Sequence, residues 1–362
     1  MTVLETAMKK ASKGERINFD EAMALYLEGE ILDLAQFARN LKEQKSGKNV
    51  YFNVNRHVNL TNICGSGCPL CAFACKDGAA NAFVLEKDDV VTAIRETAQK
   101  TPDLTEIHMV SALHPTKDFQ YYLDIVRAVK NELPQVHLKA FTPVEIVHFS
   151  KIAQCSVKEV LEQLKAAGLD SLPGGGAEIL DDEIRQKICP NKATTREWIE
   201  TIKTAHKLGI PTNATILYGH IETIAQRLQH LFTLRDIQDE TGGFQAFVAF
   251  PFHPANTGFS NLKRGGSYED LKFIAIARLI LDNIDHIKAF WMMLTMPIAQ
   301  LSLAFGVDDL DGTVEEEKII HAAGAKTKKN ITKAEIINII AETGYIPIER
   351  DTFYQAIQRK ED

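Results

Sequence analysis

From about residue 50 onward, short runs rich in β-branched and aromatic residues alternate with longer runs whose apolar positions recur at helical spacing. This alternation predicts strands that are each followed by a covering helix, and therefore a parallel sheet. The predicted strands are residues 57–61, 107–112, 136–142, 170–174, 211–219, 243–252, 288–294 and 301–306. About eight repeats over roughly 250 residues favour an α/β fold of the (β/α)₈ TIM-type barrel kind. A doubly wound open sheet is the alternative.

Helical patterns also flank the repeating region. Residues 15–45 combine a capping segment at Asn18 with apolar positions at helical spacing. No stretch rich in proline and serine divides the chain into separate domains. We therefore expect a helical extension over residues 1–50, one barrel over residues 51–325, and a C-terminal extension over residues 326–362 that packs on the barrel.

Composition and charge narrow the class of protein. Hydrophobic residues make up 45% and charged residues 25% of the 362 positions, which is typical of a soluble globular protein. The net charge of −7 disfavours a nonspecific nucleic-acid binder, which carries a basic surface. The N-terminus lacks the apolar segment of a signal peptide, and the most apolar long stretch, residues 289–305, is interrupted by polar residues and Pro297. These features predict a cytoplasmic protein without a membrane span.

Four of the six cysteines fall between Cys64 and Cys75, directly after the first predicted strand. Loops at that end of a barrel strand carry the chemistry in barrel enzymes. Cys64, Cys68 and Cys71 are spaced C-x₃-C-x₂-C, and no second cysteine pair completes a zinc site of the usual kind. Three thiolates on one loop suit three irons of a [4Fe–4S] cluster and leave the fourth iron open. Cys75 is a rival ligand if residues 71–76 are helical, and a structural zinc protein or a redox carrier is the alternative outside the enzyme class.

Other polar clusters also follow predicted strands. They are "SALHP" after the second strand, "FTPVEI" after the third, "PGGGAEI" after the fourth, "YGHIE" after the fifth and "FHPANT" after the sixth. Each cluster alone reads as a capped turn. Their shared position at one rim of the predicted barrel indicates a binding site there.

The cysteine spacing on a loop after the first strand resembles the radical S-adenosylmethionine (SAM) superfamily. Within that superfamily, a series of blocks from about residue 51 to residue 325 is similar to the aminofutalosine synthase family of the futalosine route to menaquinone. The blocks include "NRHVNLTNIC", "LKAFTPVEI", "GLDSLPGGGAEI", "ICPNKAT", "TNATILYGHIET", "QDETGGFQAF", "FHPANTG", "LDNIDHIKAFW" and "DDLDGTVEEEKI". The blocks "YGHIE" and "DDLDGTVEE" are the most specific of the set.

The resemblance implies a reaction, its cofactors and its partners. A [4Fe–4S] cluster would bind SAM and cleave it to methionine and a 5′-deoxyadenosyl radical. That radical would add to the vinyl carbon of 3-[(1-carboxyvinyl)oxy]benzoate, and aryl migration with loss of the carboxyl group would give 6-amino-6-deoxyfutalosine. The electron would come from a flavodoxin- or ferredoxin-type donor. Sister enzymes such as dehypoxanthine futalosine cyclase would share the cluster loop but abstract hydrogen instead.

The resemblance also implies roles for individual residues. The expected cluster ligands are Cys64, Cys68 and Cys71. The expected SAM-binding residues are Ser111, Ala112, Glu178, Arg196 and Asn213, with Arg185 as a second candidate cation. The expected substrate-binding or proton-handling residues are His57, Tyr218, His220, Glu222 and His253. For Glu178 a helix-capping role is the competing interpretation, and a lone histidine is more often structural than functional.

Overall fold

The computed structural model describes residues 1–358, and it begins with three helices. They are α1 (Val3–Lys13), α2 (Phe19–Glu28) and α3 (Ile31–Ser46). The first two start at capping boxes, in which the side chains of Thr2 and Asn18 accept a hydrogen bond from the N3 backbone and receive the reciprocal bond. The apolar faces of the three helices join the main core through Leu25, Leu34 and Ala38. The predicted N-terminal helices are therefore present and packed.

Nine strands within residues 1–358 form two parallel ladders. They are β1 (Asn49–Asn53), β2 (Asn55–Asn59), β3 (Glu106–Val110), β4 (His137–Ala140), β5 (Thr212–Tyr218), β6 (Phe244–Pro251), β7 (His286–Lys288), β8 (Asp309–Gly312) and β9 (Ile346–Glu349). A six-stranded ladder has the order β5-β6-β7-β8-β1-β9, and a three-stranded ladder has the order β2-β3-β4. Residue Val54 alone separates β1 from β2, so the two strands are one run of chain that serves both ladders.

Isolated bridges join the two ladders into one circuit. Ser171 pairs with Lys139 of β4, and Leu172 pairs with Thr212 of β5, so residues 171–172 occupy a strand position between them. On the other side, Glu315 beyond β8 pairs with Arg56 of β2. All of these bridges are parallel. The predicted α/β barrel-type fold is therefore confirmed, with residues 171–172 as its thinnest strand.

Helices cover the outside of the barrel. They are α4 (Lys87–Lys100), α5 (Phe119–Glu132), α6 (Pro143–Ala153), α7 (Val157–Ala167), α8 (Asp182–Ile188), α9 (Thr195–Lys207), α10 (Ile224–Thr241), α11 (Ser267–Ile280), α12 (Trp291–Leu294), α13 (Met296–Ser302), α14 (Ile319–Ala322) and α15 (Lys333–Ala341). Capping boxes fix the starts of α6 and α10 shortly after strand ends, and a third capping box fixes the start of α9. Among the described residues, none of these helices combines the length and the apolar character needed to cross a membrane.

The strand predictions fail in the last quarter of the barrel. Predicted strand 301–306 is instead the end of α13 followed by a short 3-10 turn, and predicted strand 288–294 contains only the end of β7 before α12 begins. The true eighth strand is Asp309–Gly312. Its inward side chains Asp309 and Asp311 are charged and ion-paired, so a search for apolar runs passes over it.

Paired charges fill the barrel interior at the amino ends of the strands. Lys139 Nζ lies 2.8 Å from Glu106 Oε2, Lys288 Nζ lies 2.8 Å from Asp311 Oδ1, and Arg350 Nη2 lies 2.7 Å from Asp309 Oδ2. All six side chains are buried. Buried charges are tolerated only when they are paired and hydrogen-bonded. We call this set of three ion pairs the charged floor.

The C-terminal segment completes the charged floor. Strand β9 pairs with the outer edge of β1, from Asn49 opposite Ile346 to Phe52 opposite Glu349. The next residue is Arg350, and beyond it Thr352 Oγ1 donates a hydrogen bond of 2.7 Å to Glu106 Oε2. Residues 350–352 therefore close the barrel from below. The division of the chain at residues 50 and 325 stays a prediction.

Loss of the Arg350 guanidinium leaves the Asp309 carboxylate buried without its ion-pair partner. We expect Arg350→Ala to lower the free energy of unfolding by about 3–5 kcal/mol, which chemical denaturation measures. Arg196→Ala is the matched control, because the Arg196 side chain is 84% exposed and its nearest carboxylate lies 4.0 Å away. The control should change stability by less than about 0.5 kcal/mol. Equal, small effects for both variants would contradict a supporting role for the charged floor.

Candidate active site

A cavity of about 330 Å³ lies at the carboxyl ends of the barrel strands. Its wall is mostly apolar, with Phe250, Phe252 and Phe290 among the lining side chains. Polar groups reach it from the loops after several strands, and the cysteine loop after β2 borders it. In barrel enzymes this end of the strands holds the active site. We therefore take this cavity as the candidate active site.

The cysteine loop presents its thiols at the edge of the cavity. Cys64 and Cys71 line it, and Cys68 is buried beside it in an apolar cluster that includes Ile188. Each sulfur has a hydrogen-bond donor close by in the loop. Ser66 N lies 3.5 Å from Cys64 Sγ, Ser66 Oγ lies 3.1 Å from Cys68 Sγ, and Ala74 N lies 3.4 Å from Cys71 Sγ.

This donor set fits an iron–sulfur cluster. As the side chains stand, no three Cys, His, Asp or Glu residues within residues 1–358 form a ready-made metal site. Cys64 and Cys71 of one loop nevertheless line the cavity with Cys68 buried beside it, and hydrogen bonds to the sulfurs are a feature that tunes such clusters. Burial raises the pKa of the Cys68 thiol, while the nearby Lys192 ammonium acts to lower it.

Cys75 has a backbone role in the same loop. Its N–H donates to Asn62 O at 2.9 Å, and its carbonyl accepts from Cys64 N at 3.1 Å. Residues 71–76 are not helical. A helix there was the condition for Cys75 to compete with the other three cysteines as a cluster ligand. Cys75 is absent from the cavity wall, whereas Ala72, Phe73 and Ala74 contribute to it. A bridge at Cys75 fixes the base of the loop that carries the three thiols.

The glycine run after the strand position at residues 171–172 brings the chain against β5. Gly174 has φ +74°, and a Cβ there would lie 1.7 Å from the backbone oxygen of Asn213. Gly175 and Gly176 line the cavity. Gly174 is therefore required by its contact with the neighbouring strand.

Glu178 and Lys192 form an ion pair in the cavity wall. Lys192 Nζ lies 2.6 Å from Glu178 Oε1, and both side chains are largely buried. Burial acts to raise the pKa of Glu178, but the Lys192 charge and hydrogen bond hold it below the usual value. The pKa of Lys192 is raised by the carboxylate despite its burial. The pair is therefore ionised and presents one positive and one negative group to the cavity.

Lys192 is the cavity cation that sequence reasoning missed. It lies in the "ICPNKAT" block, and Asn191 Nδ2 anchors this block to the cysteine loop through a 2.9 Å hydrogen bond to Ser66 O. The sequence signal for Lys192 is the "ICPNKAT" block itself, because the resemblance includes this block but implies no role for its lysine. The fold brings this block back to the cavity beside Cys68 and Glu178.

The two arginines expected near SAM lie elsewhere. Arg196 projects from the first turn of α9 into solvent, because Glu197 completes the helix cap and Trp198 faces the core. It does not line the cavity, so the expected cofactor contact is not supported. Arg185 is buried and donates to the backbone carbonyls of Ala177, Ile179 and Ala193. It therefore shapes the loop that carries Glu178.

The segment after β3 provides Ser111 and Ala112, and both line the cavity. Glu145 Oε1 accepts a 2.7 Å hydrogen bond from Ser111 N, and Glu145 Oε2 accepts from Thr142 N and Thr142 Oγ1. Burial raises the pKa of Glu145 to about 7 against the effect of these donors. Glu145 therefore ties the end of β3 to the start of α6 at the cavity wall.

The expected residues after β5 lie behind the cavity wall. Tyr218 donates from its hydroxyl to Asp270 Oδ1 at 2.7 Å. Glu222 accepts from Gly219 N and His220 N and pairs with Arg227. None of Tyr218, His220, Glu222 or Asn213 lines the cavity within the described structure. The hydrogen bonds of Glu222 fix the loop after β5, and that of Tyr218 ties β5 to α11, so direct contact with a ligand is not supported for these four residues.

Three histidines do line the cavity, and sequence reasoning had singled out two of them. His57 and His108 come from neighbouring strands, and their rings stack at 4.5 Å. Burial lowers the pKa of His57 to about 4. His253 donates from Nε2 to Met293 O at 3.0 Å. Sequence reasoning missed His108 because it lies within a predicted strand. There, the alternation of polar and apolar residues indicates which face of the sheet a side chain occupies, but not whether it binds a ligand.

Comparison with known proteins places the chain in a family. Residues 58–234 match the radical SAM superfamily, and residues 241–362 match the CofH/MqnC C-terminal region. Aminodeoxyfutalosine synthase of Thermus thermophilus is 45% identical over 97% of this chain and 95% of its own length. The enzyme of the same name from Streptomyces coelicolor is 38% identical over 98% of this chain and 94% of its own.

A second group of relatives is nearly as similar. 5-Amino-6-(D-ribitylamino)uracil–L-tyrosine 4-hydroxyphenyl transferase 1 of Methanosarcina mazei is 40% identical over 97% of this chain and 93% of its own length. Among solved structures, methylornithine synthase has a TM-score of 0.75 at 16% identity, with 94% of this chain and 97% of the other covered, and supports the fold alone. The chain belongs to the radical SAM superfamily and, within it, to the aminodeoxyfutalosine synthase family.

Proposed function

We propose that this radical SAM enzyme converts SAM and 3-[(1-carboxyvinyl)oxy]benzoate into 6-amino-6-deoxyfutalosine in menaquinone biosynthesis. The observation that carries the proposal is the meeting of the three-thiol loop with the buried Glu178–Lys192 pair at one cavity. The 45% identity to an aminodeoxyfutalosine synthase over nearly the whole chain supports the choice of reaction. A cytoplasmic enzyme reduced by a flavodoxin- or ferredoxin-type donor fits this assignment.

Cys64, Cys68 and Cys71 are the proposed ligands of a [4Fe–4S] cluster. When bound, the cluster supplies the single electron that cleaves SAM to methionine and a 5′-deoxyadenosyl radical. The loop contributes donor groups to each sulfur, and the bridge between Ile63 and Cys75 closes the base of the loop. The loop thus carries three thiols, two of which line the cavity.

Glu178 and Lys192 match the two ends of the SAM amino acid. The carboxylate of Glu178 accepts hydrogen bonds from an amino group, and the ammonium of Lys192 pairs with a carboxylate. Because the two side chains already lie 2.6 Å apart, their charges are present before the ligand arrives. Lys192 takes the role that the sequence had assigned to an arginine. Ser111 and Ala112 contribute at the adjacent wall, where Glu145 fixes the backbone.

The apolar part of the cavity suits an aryl vinyl ether. Phe250 and Phe290 meet edge to face with centroids 5.6 Å apart, and Leu217 and Met293 extend the apolar wall. Such walls exclude water from a reactive radical and hold the alkene close to the carbon that attacks it. In the proposed reaction the 5′ carbon bonds to the vinyl CH₂, the aryl group migrates, and the carboxyl group leaves as carbon dioxide or bicarbonate. Its departure gives back the one electron that began the reaction, so the overall conversion is redox-neutral.

The tyrosine-dependent relatives supply a second candidate function. They are 36% to 40% identical to this chain, close to the 38% of one synthase. An enzyme of that kind would act on L-tyrosine with 5-amino-6-(D-ribitylamino)uracil, as the name of those relatives states. A phenol-bearing amino acid and an aryl vinyl ether would both meet the aromatic part of the cavity. Product analysis separates the two functions.

We expect Cys75→Ser to keep the full content of iron and sulfide and the activity, because Cys75 acts through its backbone. Cys68→Ser is the matched comparison and should lose the cluster. Iron and sulfide assays with visible absorbance after anaerobic reconstitution measure both variants. Loss of iron from the Cys75 variant to the extent seen for Cys68→Ser would show that four thiols are needed.

We expect Glu178→Gln to keep the cluster and to weaken SAM binding roughly ten- to a hundredfold, because a charge-assisted hydrogen bond contributes about 1.5–3 kcal/mol. Equilibrium binding of SAM to the reconstituted protein gives the affinity. Glu200→Gln is the control, since the Glu200 side chain is 69% exposed on α9. Unchanged SAM affinity together with a lower melting temperature would assign Glu178 a purely structural role.

Radical addition consumes the deoxyadenosyl group, whereas hydrogen abstraction releases it as 5′-deoxyadenosine. We therefore expect methionine and 6-amino-6-deoxyfutalosine to form close to one for one under anaerobic conditions, with little free 5′-deoxyadenosine. Mass spectrometry of the products of SAM and the enolpyruvyl benzoate measures the ratio. Equal amounts of methionine and 5′-deoxyadenosine, with no adenosyl adduct, would favour a hydrogen-abstracting enzyme.

A further inference from the structure

His57 and His108 form a pair at the base of the cavity. Their Cα atoms are register partners on β2 and β3, and their rings stack with an interplanar angle of 24°. His57 is only 8% exposed, and its Nε2 has no hydrogen-bond partner among the described residues. Buried polar atoms are nearly always hydrogen-bonded, so the pair is incomplete without a ligand or a water.

The charged floor lies directly below this pair. Lys139 is the register partner of His108 on β4, and its ammonium reaches down to Glu106 at 2.8 Å. Lys288 and Asp311 are the other charged groups that act on His57 from below. Burial is the main reason that the pKa of each imidazole lies below its usual value. The floor charges are paired with each other, so the imidazoles stand above them as neutral groups with N–H donors.

The surroundings of the pair define an aromatic slot. Phe290 lies nearly parallel to His57, with ring centroids 6.3 Å apart and an interplanar angle of 15°. Phe250 meets Phe290 edge to face. Both histidines precede the ends of their strands, whereas the cysteine loop follows β2. The slot therefore lies deeper in the barrel than the thiols.

We propose that His57 and His108 bind the ring carboxylate of the aromatic substrate, so that its aryl end lies deepest and its vinyl end faces the cysteine loop. This inference rests on the proposed function. Each neutral imidazole donates one N–H to a carboxylate oxygen, and hydrogen bonds to a charged group are stronger than those between neutral groups. The ring carboxylate persists into the product, while the carboxyl group on the vinyl carbon is lost. An anchor on the persistent group holds the ring throughout the migration.

The test compares two substrates that differ only in this carboxylate. One is 3-[(1-carboxyvinyl)oxy]benzoate, and the other is 2-phenoxyacrylate, which lacks the ring carboxylate. His108→Phe keeps an aromatic ring in the stack but removes the N–H donor, and His108→Gln restores a donor. His206→Gln is the control, because His206 is a partly buried histidine bonded to Thr212 and Thr241 and lies outside the cavity wall.

The expected results concern both binding and turnover. The wild-type enzyme should prefer the benzoate by about ten- to a hundredfold in kcat/KM. His108→Phe should remove most of this preference by raising KM for the benzoate. It should leave kcat/KM for 2-phenoxyacrylate within about twofold of the wild-type value. In equilibrium dialysis it should weaken benzoate binding by about the same factor as it raises KM. His108→Gln should recover most of the loss. The control should retain the wild-type preference whatever its effect on thermal stability.

Several outcomes would overturn the anchor. Equal losses for both substrates in His108→Phe would assign the pair to the scaffold alone, and so would unchanged benzoate binding in both His108 variants. A wild-type enzyme that binds both substrates equally would also contradict it. Binding of the benzoate that depends on His108, without any adenosyl adduct, would instead support the anchor and disprove the proposed reaction. Dialysis thus separates failure of this inference from failure of the proposed function.

Discussion

The fold depends on burying six charges in the barrel interior as three ion pairs. A lone buried charge is strongly destabilising, so each of these side chains requires its partner in place. The pairs link β3 to β4, β7 to the end of β8, and β8 to the C-terminal segment. Because these side chains fill the lower interior, the cavity lies at the carboxyl ends of the strands. The cavity, its histidine pair and the cysteine loop all lie above this layer.

The active site is assembled from segments that are distant in sequence. Where two of them meet, a positive and a negative side chain cancel each other's charge. The Glu178–Lys192 pair places opposite charges side by side, and Asn191 links its segment to the cysteine loop. Glu145 holds the end of β3 by accepting hydrogen bonds from two backbone N–H groups. The groups proposed to contact ligand are therefore held by others, some of which do not line the cavity. Tyr218, His220 and Glu222 belong to this second kind, as their hydrogen bonds to Asp270 and to the loop after β5 indicate.

The sequence predicts a site when its residues lie close together along the chain. It does not predict a site whose residues are brought together only by the fold. The strand–helix rhythm is a local pattern, and the fold class predicted from it is confirmed. The spacing of the three thiols is local too, and their role as cluster ligands stays a prediction. Lys192 reaches the cavity only because the chain after α8 folds back to the cysteine loop, which no spacing indicates. Arg196 lies on the exposed side of α9 because the phase of that helix is set by the Thr194–Glu197 cap and by buried Trp198. Strand β8 was missed because its inward positions hold aspartates, whose burial depends on Lys288 and Arg350 far along the chain.

The pairing of Arg350 with Asp309 has a consequence for folding. Arg350 is 41 residues from Asp309 along the chain, and Thr352 is 246 residues from Glu106. Bringing distant segments together costs loop-closure entropy, so contacts of this kind form slowly. Until they form, the base of the barrel holds an uncompensated carboxylate and stays hydrated, and the outer edge of β1 lacks its partner strand. Closure of the barrel interior is therefore governed by contacts of long sequence separation rather than by the local strand–helix units.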